Sequence, residues 1–165
     1  GNMASIQPKR EIHECCWEFL QAEMISTVVQ ADNNNLAKEK LERIGFDVGQ
    51  TLAERYTRER PRFTDNLEII KFICKEFWLE VFKKQVDNLR TNHKGVYVLH
   101  DAKFRWISKL SSTNSTTTKE LAAKYLAFPC GLIRGVLAGL GVSADVALDN
   151  QTQNLPACTF TIKVK

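Results

Sequence analysis

Three histidines and five cysteines are the side chains with the widest chemical range in this chain of 165 residues. His13, Cys15 and Cys16 stand together near its start. Imidazole and thiolate are zinc ligands, and a tetrahedral site takes four of them. No second pair follows at zinc spacing, and adjacent cysteines chelate one tetrahedral ion poorly, so no metal is expected. His93 and His100 flank a strand-like run and read as ordinary surface or hairpin histidines. A phosphate-binding P-loop, G-x-S-x-G, H-E-x-x-H and the dinucleotide fingerprint are all missing. The expected catalytic set is therefore empty, and no cofactor is expected.

Cys15 and Cys16 also invite reversible acylation, since they begin an amphipathic helix. A thiol in an apolar stripe more simply packs as a small hydrophobe, which places Cys16 in the core stripe and Cys15 at its border. Cys74 and Cys130 lie inside apolar helical runs. An odd cysteine count without C-x-x-C is the usage of a reducing compartment.

Lys83, Lys84, Arg90, Lys94, Lys103 and Arg105 form a basic cluster in sequence. Such a patch suits acidic lipid head groups or an acidic partner. It also suits a plain helix C-terminus, where cations complement the dipole. The net charge of +4 is mild, and no aromatic platform is interleaved with the cations, which argues against nucleic acid.

The elements that must position these residues follow from periodicity. Ile12, Cys16, Phe19/Leu20, Met24 and Val28 recur at helical spacing from Glu11, and Trp17 widens that face. Asp32-Asn33-Asn34-Asn35 stops the helix and caps the next. Leu41, Ile44, Val48, Leu52 and Tyr56 mark the second helix. Gly45 and Gly49 share one of its faces. Mid-helix glycine costs about 1 kcal/mol against alanine, so the pair implies another helix crossing very close. A third helix spans about 65–88, opened by an Asp65/Glu68 capping box. Val96–Leu99 and Phe104–Ile107 predict a hairpin across His100–Lys103. Ser111–Thr118 predicts a loop, and Lys119–Leu140 a fourth helix. That helix is apolar enough for a bilayer, but Lys124 and Arg134 argue against one. Gly131, Gly135 and Gly139 fall on one face, with Arg134 off it and in need of a carboxylate or carbonyls. Pro129 should kink it or begin a fresh turn. Alternation over Val142–Leu148 and Cys158–Val164 predicts two closing strands.

The fold class expected is α+β, a four-helix layer packed on a four-stranded antiparallel sheet. Residues 11–165 form a single domain. Residues 1–10 are expected to be disordered, with Gly1-Asn2 a tag remnant, and no secretion leader is seen.

Several blocks of the chain resemble a known family. They are Leu41–Gln50 with Leu52, Glu54 and Arg55; Ile69–Lys75; Phe82–Leu99; Tyr125–Phe128 followed by Cys130–Gly135; and Leu155–Cys158 with Phe160. In this order they resemble the small Bet-three-like subunits of TRAPP, the transport protein particle, in the subunit 6 branch. The resemblance implies a cytoplasmic protein, peripheral at cis-Golgi and ER membranes. It would dimerise with the Bet-three subunit and join other TRAPP subunits in a vesicle-tethering complex. The assembled complex promotes nucleotide exchange on a Rab GTPase, so that partner is indirect. In the Bet-three relative an acylated cysteine falls near Arg60 here, and acylation at that point is not carried over.

The wide apolar faces of the first two helices supply the expected dimer surface, with Trp17, Leu20, Met24, Val48 and Leu52 as anchors. Self-association by the same face is expected for the chain alone. The competing expectation is a small-molecule or acyl-chain binding module with an apolar tunnel between the third and fourth helices.

Overall fold

The computed structural model describes residues 14–108, 115–149 and 155–165. Helix α1 (Glu14–Ala31) turns into α2 (Asn34–Thr57) at Asn33, whose side chain accepts a hydrogen bond from the Leu36 amide at 3.0 Å. That cap satisfies one of the orphaned first-turn donors. A third helical rod runs through α3 (Asn66–Phe72), a π turn (Ile73–Phe77) and α4 (Trp78–Phe82). Strands β1 (Asn88–Thr91) and β2 (Val96–Asp101) follow, then a 3-10 turn (Arg105–Ile107), α5 (Ser115–Gly139), β3 (Ala144–Leu148) and β4 (Cys158–Val164). The expected class is what the molecule adopts. Among the described residues, four helical rods pack on one antiparallel sheet of order β1-β2-β4-β3.

The central contact is α2 against α5. A Cβ added to Gly131 would fall on the carbonyl of Glu42, and one on Gly135 would fall on that of Phe46. From the other side, a Cβ on Gly45 would strike the Phe128 carbonyl, and one on Gly49 the Leu132 carbonyl. Contacts climb together along both helices, so the two run parallel with backbones touching. The expectations made from each glycine pair are thus two halves of one interface. The 20-residue stretch Glu120–Gly139, though apolar enough to span a bilayer, is 67% buried by this packing. Helix α5 continues through Pro129 without interruption to Gly139, and the chain turns away at Gly141. There Val142 donates to the Leu137 carbonyl and Gly141, at φ +83°, donates to that of Ala138. This is a Schellman ending, which favours glycine in the left-handed conformation.

Four expectations need correction. The buried side of α1 is Gln21 and Ile25 rather than the Cys16–Leu20 stripe; Cys16 is exposed and Cys15 half-buried. Trp17 sets this rotation by stacking on Trp106 and Phe128, with ring centroids 5.4 and 5.9 Å away. The third rod ends at Lys83, in the left-handed conformation at φ 62°, well short of residue 88. The hairpin lies between β1 and β2, pairing Leu89 with Leu99. Phe104–Ile107 instead leaves the sheet, Phe104 donating to the Pro156 carbonyl at 2.9 Å. Finally, α5 begins at Ser115, inside the expected loop. The expectations for residues 1–10 and 111–114 lie outside the described residues.

The π turn has a local consequence. The Trp78 amide reaches back to the Ile73 carbonyl, and the Cys74 carbonyl accepts instead from Val86 at 3.0 Å. The chain beyond α4 is thereby tied to the rod. Trp78 then sits against Phe82, Phe104 and Phe160, with centroid separations of 4.5, 6.1 and 5.6 Å, and all four rings are buried.

Replacing Gly135 by Ala would gain about 1 kcal/mol of helix propensity but drive its methyl into the Phe46 backbone, which cannot yield as a side chain would. A net loss of about 3 kcal/mol or more is expected in urea unfolding. Gly139→Ala meets only the Ala53 methyl, at 2.9 Å, and should cost visibly less.

Candidate functional site

The predicted dimer anchors divide between core and surface. Trp17, Met24 and Leu52 are half-buried and pack on the hydrophobic core. Leu20 is 63% exposed and Val48 38%, and beside Leu20 stands Phe19 at 73%. Ile25 and Leu41 pack together across the α1–α2 hairpin. Val48 lies on α2, seven residues beyond Leu41. Leu36, also on α2, is 41% exposed. Phe19 belongs to the expected apolar stripe but not to the expected anchors. Its neighbour Leu20 shares its helical position closely enough that one stripe was read for both. The resulting surface is an apolar ridge on the outermost helix.

The six cations do not form one patch. Lys94 sits in the β1–β2 turn, whereas Lys103 follows β2 at its other end. A strand of six residues separates them by about 20 Å. Arg90 is exposed on β1 opposite Val98, and Lys83 is exposed at the end of α4. Arg105 is half-buried in the 3-10 turn and engaged with neighbours. Lys84 is committed inward, its ammonium 2.7 Å from Asp101 and 2.6 Å from Asp87.

Asp101 is the polar centre that sequence reading missed. Its carboxylate is fully buried, accepting from the Trp78 indole at 2.9 Å, from Lys84 at 2.7 Å and from the Lys103 amide at 3.0 Å. Asp87 accepts from Lys84 and, at 2.7 Å, from the Ala102 amide. Together they pin the end of the third rod to the end of β2. The hydrogen bond from Lys84, aided by the Ala102 amide, holds the Asp87 carboxyl below its usual range. Partial burial works against the Lys84 ammonium, but the hydrogen bonds it donates to Asp101 and Asp87 outweigh it and raise its pKa.

The remaining candidates are structural. Arg134 is half-buried with its guanidinium 5.3 Å from the centroid of the Phe46 ring; the expected carboxylate or carbonyl partner is replaced here by an aromatic face. His100 shares a hydrogen bond of 3.0 Å with Thr159, and His93 occupies the hairpin turn at φ 57°. Burial pushes the thiols of Cys74 and Cys130 up to about 12, and that of Cys158 higher still. They are poor nucleophiles at neutral pH. Among the described residues no group of three metal-ligating side chains gathers, and His13 lies outside them. Arg60 pairs with Glu76 and lies over Phe72 and Phe63, 5.0 and 5.6 Å from their centroids.

Fold and surface together describe an α+β domain whose most exposed large apolar side chains, Phe19 and Leu20, stand on α1. A model of the transport protein particle (TRAPP) component family matches residues 17–165, and the chain belongs to that family. Trafficking protein particle complex subunit 6b of Danio rerio is 47% identical over 156 residues, covering 92% of this chain and 97% of the relative. Human subunit 6B is 46% identical over 157 residues, with the same coverage. Human subunit 6A is 40% identical over 154 residues, covering 90% of this chain and 94% of the relative. Among solved structures, a trafficking protein particle complex subunit 3 from Naegleria fowleri, covalently bound to palmitic acid, superposes with a TM-score of 0.72. At 14% identity, over 93% of this chain and 97% of that one, it shares the fold.

Two outcomes test the Asp101 centre. Lys84→Met leaves a fully buried carboxylate without its cation and should cost about 3 kcal/mol in chemical unfolding. Asp87 has a lowered folded pKa, so its stabilising contribution is complete above the unfolded carboxylate pKa. It is lost as pH falls through the folded value. The acid limb of stability against pH should therefore be shallower in Asp87→Asn than in the wild type.

Proposed function

We propose that this chain is a non-catalytic scaffold subunit of a TRAPP vesicle-tethering complex, pairing with a Bet-three-type subunit through the outer face of α1 and α2. The observation that carries this reading is the ridge of Phe19 and Leu20, 73% and 63% exposed on one helical turn. Two adjacent large apolar side chains so open to water are the usual centre of an interface. Half-buried Trp17, Met24 and Leu52 support the ridge from beneath. The scaffold would act at ER and Golgi membranes from the cytoplasmic side and support Rab nucleotide exchange only as part of the assembled complex. Exposed Arg90, Lys94, Lys83 and Lys103 offer peripheral contacts to anionic head groups or to acidic neighbours, but at separate places. Without its partner the chain would self-associate by the same ridge.

The competing reading, an acyl-chain carrier, finds less support. Where the resemblance places the acylated cysteine of the Bet-three relative, this chain has Arg60 stacked over Phe63 and Phe72. Native mass spectrometry of the purified chain should accordingly show the bare polypeptide mass.

Mixed with a Bet-three-type subunit at micromolar concentration, the chain should elute as a 1:1 heterodimer in size exclusion. The double variant Phe19→Asp/Leu20→Asp should keep its melting temperature and lose co-elution. Separate elution of the two wild-type chains would end this reading.

A further inference from the structure

Among the described residues, two donors on α1 are buried without an acceptor: the indole Nε1 of Trp17 and the amide Nε2 of Gln21. They stand four residues apart, on the same side of the helix. Gln21 as a whole is only 3% exposed. Buried polar groups are nearly always hydrogen-bonded, and leaving one unpaired is destabilising. Two unpaired donors on one helical turn therefore set α1 apart from the rest of the fold. The other buried polar centres among the described residues are met: the Trp78 indole by Asp101, Asp101 by three donors, and the Asp32 carboxylate by the Lys40 ammonium at 2.8 Å. The turn with the orphaned donors is also the turn with the exposed ridge. Leu20 lies three residues after Trp17 and one before Gln21, and it is 63% exposed. An unsatisfied apolar surface and unsatisfied donors thus coincide on one turn of α1.

We infer that α1 re-seats when the partner subunit docks, and that Trp17 and Gln21 then donate to acceptors on that partner. This rests on the pairing proposed above and adds the chemistry of the opposing surface. It must present an apolar groove for Phe19 and Leu20, rimmed by main-chain carbonyls or a carboxylate that can accept two hydrogen bonds. In the free chain the same donors stay inward, shut between α1 and the rings of Trp106 and Phe128.

The test is titration calorimetry of the full chain against a purified Bet-three-type subunit. Gln21→Met keeps the length of the side chain, and Trp17→Phe keeps an aromatic ring; each removes one donor. Each variant should bind about five- to tenfold more weakly than the wild type, the expected effect of one net hydrogen bond. Affinity within twofold of wild type for both variants overturns the inference and leaves the pairing intact; the donors would then be met by internal water. No binding by the wild-type chain fells the pairing itself, and the inference with it. Should neither variant fold, the Trp17 indole proton of the wild-type chain decides by NMR. Its resonance should move downfield when the partner is added, and an unmoved resonance overturns the inference.

Discussion

Everything in this molecule is arranged around the contact of two helix backbones. Gly45 and Gly49 on α2 face Gly131 and Gly135 on α5, and the missing side chains let carbonyl oxygens of each helix rest against the α-carbons of the other. At that distance no side chain fits between the axes. The contact gains dispersion and weak Cα–H···O interactions along its length. It is also intolerant, because a single methyl would have to displace backbone rather than a flexible tip. Four glycines inside helices forgo about 1 kcal/mol of propensity each, and only a contact that needs all of them explains their presence.

The close pair settles where the other elements go. With α5 wrapped by α2 on one side, its other sides are free to cover the sheet through Leu126, Leu132, Ile133, Val136 and Leu137, all buried. The third rod fills the remaining space with Phe77, Trp78 and Phe82, and its end is fastened by Asp101 through Trp78 and Lys84. Helix α1 is left outside this tight unit. It reaches the core through Trp17, Met24 and Ile25 and turns Cys16, Phe19 and Leu20 to solvent. A rigid centre with one lightly attached apolar helix suits a subunit whose work is to be bound by other subunits.

How much of this could be read beforehand depended on the range of each interaction. Repeats of glycine at four-residue spacing are local, and they announced a close crossing on α2 and on α5 before either had a partner. The caps Asn33 and Asp65 are local as well and accept first-turn amides as read, but the Glu68 carboxylate takes the Thr64 amide in place of the Asp65 amide that a full capping box requires. The hairpin failed because its first strand, Asn88–Thr91, is polar and short. The competing apolar run Phe104–Ile107 belongs to a turn held by a residue far away, Pro156. Asp101 was invisible for the same reason: a carboxylate earns burial only through Trp78 and Lys84, distant in sequence. The basic cluster was compact in the chain and scattered in space, since a strand separates Lys94 from Lys103. On α1 the stripe holds at Met24 and Val28, which pack on the core, and fails at Cys16, Phe19 and Leu20, where the contacts of Trp17 with Trp106 and Phe128 turn the helix.

On the proposed arrangement a partner subunit would cover the outer face of α1 and α2, with the glycine-locked pair and the sheet as frame. Hydrogen exchange read by mass spectrometry, with and without a Bet-three-type subunit, examines all faces at once. Binding should slow exchange in peptides covering Glu14–Ala31 and the adjoining part of α2, and leave α5 and β1–β4 unchanged. Protection concentrated in the β1–β2 hairpin or β3, with α1 unaffected, would contradict the account.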